Sequence, residues 1–166
     1  MNAHELIKEL GHALGTTLEL SPAGTCRAAF DGDVVEFEMA GDSLWIFADL
    51  GSALHREDAV QSLLAANSLG LQTGGATISL DEERAMFTMH VELWGEMPYL
   101  AFENRLVLFI KALRWWKEWL ALPPLTSVVK QVSVLPEGGS APVGGEADGI
   151  MPEVYSPLGM GGMLRI

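Results

Sequence analysis

The chain of 166 residues carries one cysteine, Cys26, and ten Lys and Arg against twenty-two Asp and Glu. A lone thiol excludes an internal disulfide and both common multi-cysteine zinc patterns, and so fits a reducing compartment. The shortage of positive charge leaves a net charge of −12 and a pI near 4.6. That balance argues against nucleic acid or an anionic membrane surface as a partner. Long apolar runs are also missing. The most apolar window, residues 106–110, meets Lys111 and Arg114, well short of the ~20 residues a membrane span needs. Early in the chain His4, Glu5, Lys8 and Glu9 interrupt any run of the signal-peptide kind. The four histidines are scattered and form no ligand cluster. His4-Glu5-Leu6-Ile7-Lys8 begins like the zincin helix motif, but Lys8 stands where its second histidine belongs. No metal or cofactor is therefore expected.

What is present is organised around residues 62–81. Val60, Leu63, Leu64 and Asn67 recur at helical spacing. Gly70 follows, where a helix commonly ends in a left-handed residue. Thr73-Gly74-Gly75 reads as a structural turn, and Ala76, Ile78 and Leu80 then alternate with Thr77 and Ser79 as a half-buried strand. A phosphate loop would need a strand before its glycines and a helix after them. Here the order is reversed and no Lys follows, so Gly70, Gly74 and Gly75 are read as turn residues.

The other elements follow from periodicity. Residues 3–14 form an amphipathic helix with Leu6, Ile7, Leu10 and Leu14 on one side, closed by Gly15. Residues 25–30 alternate Cys26, Ala28 and Phe30 inward, Asp31-Gly32-Asp33 turns the chain, and Val35, Phe37 and Met39 continue the pattern. Residues 44–48 are apolar on both faces: Leu44 and Ile46 on one, Trp45 and Phe47 on the other. Two aromatics on a second face mean either local cover or a patch that binds a partner. Residues 49–52 lead into a second helix, roughly 55–69, with Ser52 as its N-cap candidate. After the hairpin, residues 99–120 form a third helix, apolar almost all round and so expected to be buried on more than one side. Trp115, Trp116 and Trp119 would make an aromatic cluster at its end. The order α-β-β-β-α-β-β-α is that of an α+β fold in two layers, an antiparallel sheet with helices largely on one side.

Gly41-Asp42-Ser43-Leu44 spells the signature of the GDSL hydrolases. That family also needs a late Asp-x-x-His, and this chain has none; its last histidine is His90. A serine without a positioned base is a poor nucleophile, and Gly-Asp between two β-rich runs is ordinary hairpin chemistry. The hydrolase is a weak alternative, and no catalytic residue is assigned.

The pattern Leu-Leu-x-Ala-Asn-x-x-Gly-x-x-Thr-Gly-Gly-Ala-x-x-x-Leu-Asp at residues 63–81 closely resembles the type III secretion chaperones of the Tir-chaperone (CesT-type) family. The likeness extends over residues 1 to about 121, in the same order of elements. It implies a small acidic homodimer of the bacterial cytoplasm, without catalysis, that holds an extended segment of a secreted effector protein in a soluble, export-competent state. Effector contacts are then expected at Trp45, Phe47, Leu6 and Leu10. The second helix and the strands after it are the expected dimer interface, with Val60, Leu63, Leu64 and Ile78. A binding or regulatory module of the same fold, outside secretion, is the other reading.

Residues 122–166 have a different composition, with six of the eight prolines and eight of the eighteen glycines. They are read as a second, Gly/Pro-rich unit, flexible or docked on the body, with β-prone or apolar islands at 125–135, 150–155 and 159–166. The resemblance does not reach this tail.

Overall fold

The structure, a computed structural model, describes residues 1–123; the tail islands lie outside the described residues. Three strands follow the first helix, α1 (Ala3–Ala13): β1 (Thr25–Phe30), β2 (Asp33–Ala40) and β3 (Ser43–Ser52). Helix α2 (Glu57–Ala66) and a 3-10 turn (Ser68–Gly70) precede β4 (Thr77–Asp81) and β5 (Met86–Trp94), and α3 (Tyr99–Ala121) completes the order. All neighbouring strands run antiparallel in the spatial order β1-β2-β3-β5-β4. The expected α+β architecture is the observed one.

Local chemistry explains the boundaries. Asn2 caps α1 reciprocally: its side chain accepts from the Glu5 N–H, and the Glu5 carboxylate accepts from the Asn2 N–H. The β1–β2 hairpin closes through Asp31 and Gly32, at φ +52 and +95, the paired positive angles of a tight two-residue turn. Gly41 alone takes a positive φ between β2 and β3. Ser43 is therefore the first residue of a strand after a hairpin turn, and it is buried. His90 pairs with Phe47, four residues further along β3, roughly 14 Å away at strand spacing. No serine–histidine pair forms there.

The core lies on one face of the sheet. Val35, Phe37, Leu44, Ile46 and Met89 from the strands meet Leu6, Ile7 and Leu10 of α1 and the Phe102, Leu106, Phe109, Leu113 and Trp116 stripe of α3. Trp116 is edge-on to both Trp115 and Trp119, at 4.6 and 5.4 Å between ring centroids, which forms the aromatic end cluster. At the same end Arg114 and Lys117 tie α3 to the β1–β2 hairpin. Arg114 reaches Asp31 and Asp33 at 2.9 and 3.0 Å, and Lys117 reaches Asp33 at 2.7 Å.

Four expectations need correction. Strand β3 does not stop at Ala48 but continues to Ser52 through a bulge, with Leu50 as the extra residue and its side chain in the core. Ser52 consequently belongs to the strand, and its hydroxyl accepts from the Leu54 N–H; Arg56 occupies the N-cap position of α2 and makes no side-chain capping bond. Helix α2 is shorter than expected, and its buried face is Ala59, Leu63 and Ala66, one step round from the predicted stripe. Helix α3 buries a single stripe within this chain and leaves Leu100, Val107, Leu108 and Trp115 exposed. At the end of β3 a sheet irregularity carries the packing and in α2 small residues do, and neither leaves a periodic apolar signal; α3 keeps its periodic stripe, and Leu100, Val107, Leu108 and Trp115 are uncovered among the described residues.

Candidate protein-binding surface

The segment from Asn67 to Ile78 is held by polar contacts at nearly every motif position. The Asn67 carboxamide accepts from the Ile78 N–H at 2.8 Å and donates to the Ile78 carbonyl at 2.9 Å. Thr73 is fully buried and donates its hydroxyl to the Ala76 carbonyl at 2.5 Å. Gly75 donates its N–H to the Gly70 carbonyl at 2.9 Å. Gly70, Gly74 and Gly75 all have positive φ, a conformation that costs any other residue. At Gly74 there is a second demand, because a Cβ would stand 2.7 Å from the Leu108 carbonyl oxygen of α3. The Trp116 indole N–H donates to the Gln72 carbonyl at 3.0 Å and fastens the loop to the same helix. The glycine turn thus docks a loop on a helix.

The sheet face opposite the helices carries the aromatic pair. Trp45 and Phe47 are half-buried, with stacked rings 5.8 Å apart, and His90 lies 5.7 and 6.1 Å from them. Cross-strand pairing puts Glu38 and Glu92 on either side of Trp45, and Glu36 and His90 on either side of Phe47. Glu36 is paired with Arg27 at 2.9 Å. Burial pushes the His90 imidazole below its ordinary value, so it is neutral at pH 7. Its Nδ1 is 3.4 Å from the Ser79 hydroxyl. The concavity over this face, about 710 Å³, is lined by Glu36, Glu38, Trp45, Phe47, Thr88 and His90 among others. Such a surface offers an apolar shelf with charged groups of both signs at its margins, Glu36, Glu38, Asp49 and Asp81 with Arg27, Arg84 and Lys117, suited to stacking and to peptide side chains.

The other predicted site residues separate into two groups. Leu6 and Leu10 are 1 and 3 % exposed; they face the sheet and α3 and present no surface to an effector, which corrects their expected role. Leu63 and Ile78 are likewise core residues and cannot form a dimer interface as the chain is folded. Val60 and Leu64, on the outer side of α2, are 40 and 65 % exposed and remain available, close in sequence to the exposed Leu69 and Leu71. The sequence missed His90 as the third ring beside Trp45 and Phe47. Its alternation with Met89 and Val91 was the available signal, but the partner strand was not.

Among the described residues no group of three or more His, Cys, Asp or Glu is placed to hold a metal ion. No helix among them is long and apolar enough to cross a membrane.

A sheet with one helical face, one open aromatic face and an elaborately fastened loop defines a protein-binding scaffold. Residues 5–117 match the Tir chaperone protein (CesT) family, and the chain belongs to that family. A comparison with curated proteins finds no significant match. Among solved structures the fold is similar to a chain of the HopA1–SchA chaperone–effector complex, at 18 % identity and a TM-score of 0.60, over 69 % of this chain and 91 % of that one. It is also similar to a chain of the ExsC–ExsE complex, at 17 % identity and a TM-score of 0.61, over 75 and 99 %. A third likeness is to the Yersinia pestis type III secretion chaperone SycH in complex with a stable fragment of YscM2, at 17 % identity and 0.56, over 68 and 98 %.

Proposed function

We propose that the chain is a non-catalytic chaperone of the bacterial cytoplasm that holds an extended segment of a type III secreted effector and keeps it soluble before export. Family membership supports the class. The observation that carries the local reading is the open sheet face, where Trp45 and Phe47 stay half-exposed beside His90 while their neighbours Leu44 and Ile46 fill the core. Apolar side chains of an unfolded segment would bury against those rings, each contributing on the order of 1–3 kcal/mol. We further read the chain as a homodimer whose interface includes Val60 and Leu64. In the same reading, residues 1–121 are the chaperone unit and 122–166 an appended extension.

The test is a Trp45→Ser, Phe47→Ser double variant. Because both rings lie off the core face, its melting temperature should fall by only a few degrees, while capture of the cellular partner weakens at least about tenfold. A variant that unfolds, or that captures its partner undiminished, contradicts the role given to this face.

A further inference from the structure

The charges around the concavity of the open sheet face do not cancel evenly. Its cations are each already paired: Arg27 with Glu36 at 2.9 Å, Arg84 with Asp49 and Asp81 at 3.0 and 2.6 Å, and Lys117 with Asp33 at 2.7 Å. Those contacts also engage Glu36, Asp49 and Asp81. Glu38 is the lining carboxylate left over. Glu92, on the other side of β3, likewise has no ion pair among the described residues. His90, the titratable neighbour of the same rings, is neutral at pH 7 and offsets neither.

Register sets both carboxylates against one ring. Trp45 lies directly opposite Glu38 on β2 and Glu92 on β5, and directly opposed residues share a face of the sheet with Cβ atoms about 5 Å apart. The two acidic residues therefore stand roughly 10 Å apart, one strand spacing to each side of the indole. A cation resting on that half-buried ring would meet the negative face of its π system and a carboxylate on either flank. A guanidinium fits this arrangement better than an ammonium. It is flat enough to stack on the indole, and its N–H groups fan out in one plane toward both carboxylates. It is also less strongly hydrated, and so gives up less on leaving water.

We propose that Trp45, Glu38 and Glu92 form a seat for an arginine side chain of the extended partner segment, while the adjoining Phe47 and His90 rings take its apolar neighbours. The assignment rests on the chaperone reading above and specifies a residue that the partner must present there. The net charge of −12 adds a longer-range pull on a basic segment, which salt weakens.

The probe is a short blocked peptide, Val-Ser-X-Ser-Val, in which X is Arg, Lys or citrulline, the neutral isostere of Arg. Binding to the full chain is followed at the Trp45 indole N–H resonance, assigned with Trp45→Phe. The Arg peptide should shift that resonance and bind about tenfold more tightly than the citrulline peptide, with Lys between them. Glu38→Gln combined with Glu92→Gln should bring the Arg peptide down to the citrulline level. The melting temperature should change little, because neither carboxylate has an ion pair to lose. Glu19→Gln combined with Glu57→Gln removes the same charge from exposed positions elsewhere and should leave most of the Arg preference in place. Equal binding of the Arg and citrulline peptides overturns the proposal. So does an Arg preference that survives the loss of Glu38 and Glu92, or a Trp45 resonance unmoved by millimolar Arg peptide. The natural partner separates the two readings. Capture that persists in the Glu38→Gln, Glu92→Gln variant but is lost in Trp45→Ser, Phe47→Ser would refute the arginine seat and leave the chaperone reading standing; capture undiminished in both would count against the open face itself.

Discussion

Gly74→Ala isolates the close approach that holds the glycine loop on α3. A left-handed residue with a side chain costs roughly 1 kcal/mol, and Gly74 sits at φ +64. Gly15 sits at φ +68 with nothing within 4 Å of its would-be Cβ, so Gly15→Ala measures that backbone term by itself. At Gly74 the new methyl would stand 2.7 Å from the Leu108 carbonyl oxygen and 2.9 Å from its carbon. Those atoms belong to a helix backbone and cannot yield as a side chain does. The loop must lift instead, which strains the bond from the Trp116 indole to Gln72, worth about 1 kcal/mol, along with the packing around it. The sum is about 3 kcal/mol for Gly74→Ala against about 1 for Gly15→Ala. For a folded unit of about 120 residues the unfolding entropy is near 0.25 kcal/mol/K, so the expected losses are roughly 12 and 4 °C in Tm. Gly75→Ala should fall nearer Gly15, because its Cβ would meet only the mobile end of Arg105, at 3.1 Å. Thermal and urea unfolding of the three variants checks this. Equal losses at Gly74 and Gly15 would refute the argument from close approach.

Two further outcomes follow from the charges and from the outer side of α2. Asp33, its side chain only 16 % exposed, is held below the usual carboxylate range: burial opposes ionisation, but the hydrogen bonds from Lys117 and Arg114 outweigh it. A depressed folded pKa gives stability that is present above the unfolded value, near 3.9, and is lost as pH falls through the lower folded value. Asp33→Asn should therefore flatten the acid limb of the stability profile below about pH 4, and an unchanged limb would show that the contacts hold no charge-dependent stability. Leu64→Glu, on the exposed side of α2, should shift sedimentation from dimer toward monomer at micromolar concentration with the melting curve of the isolated fold retained; a parent chain that sediments as a stable monomer contradicts the dimer outright.

Much of the fold was legible because its elements announce themselves by period. The alternation from Val35 to Met39 and the stripe from Phe102 to Leu120 locate the sheet and the long helix directly. The α2 face was misread because its buried positions are Ala59, Leu63 and Ala66, where alanines leave almost no hydrophobic signal beside the louder Val60 and Leu64. Leu6 and Leu10 were correctly placed on one helix face, but periodicity says which face is apolar and not what covers it. The open aromatic face was legible in Trp45 and Phe47 as a strand apolar on both sides. Its third ring, His90, depends on β5 lying next to β3, a non-sequential neighbour. The Asn67 carboxamide bonds to a strand eleven residues ahead, and no composition or period encodes such a contact.

The central claim, that this chain holds a partner for export, is tested most directly by following the co-purified partner in its own cells with and without this chain. The account predicts that the partner disappears from the medium and accumulates inside as aggregated or degraded protein when the chain is absent, and that restoring the chain restores export. Undiminished export of that partner without the chain would contradict the account.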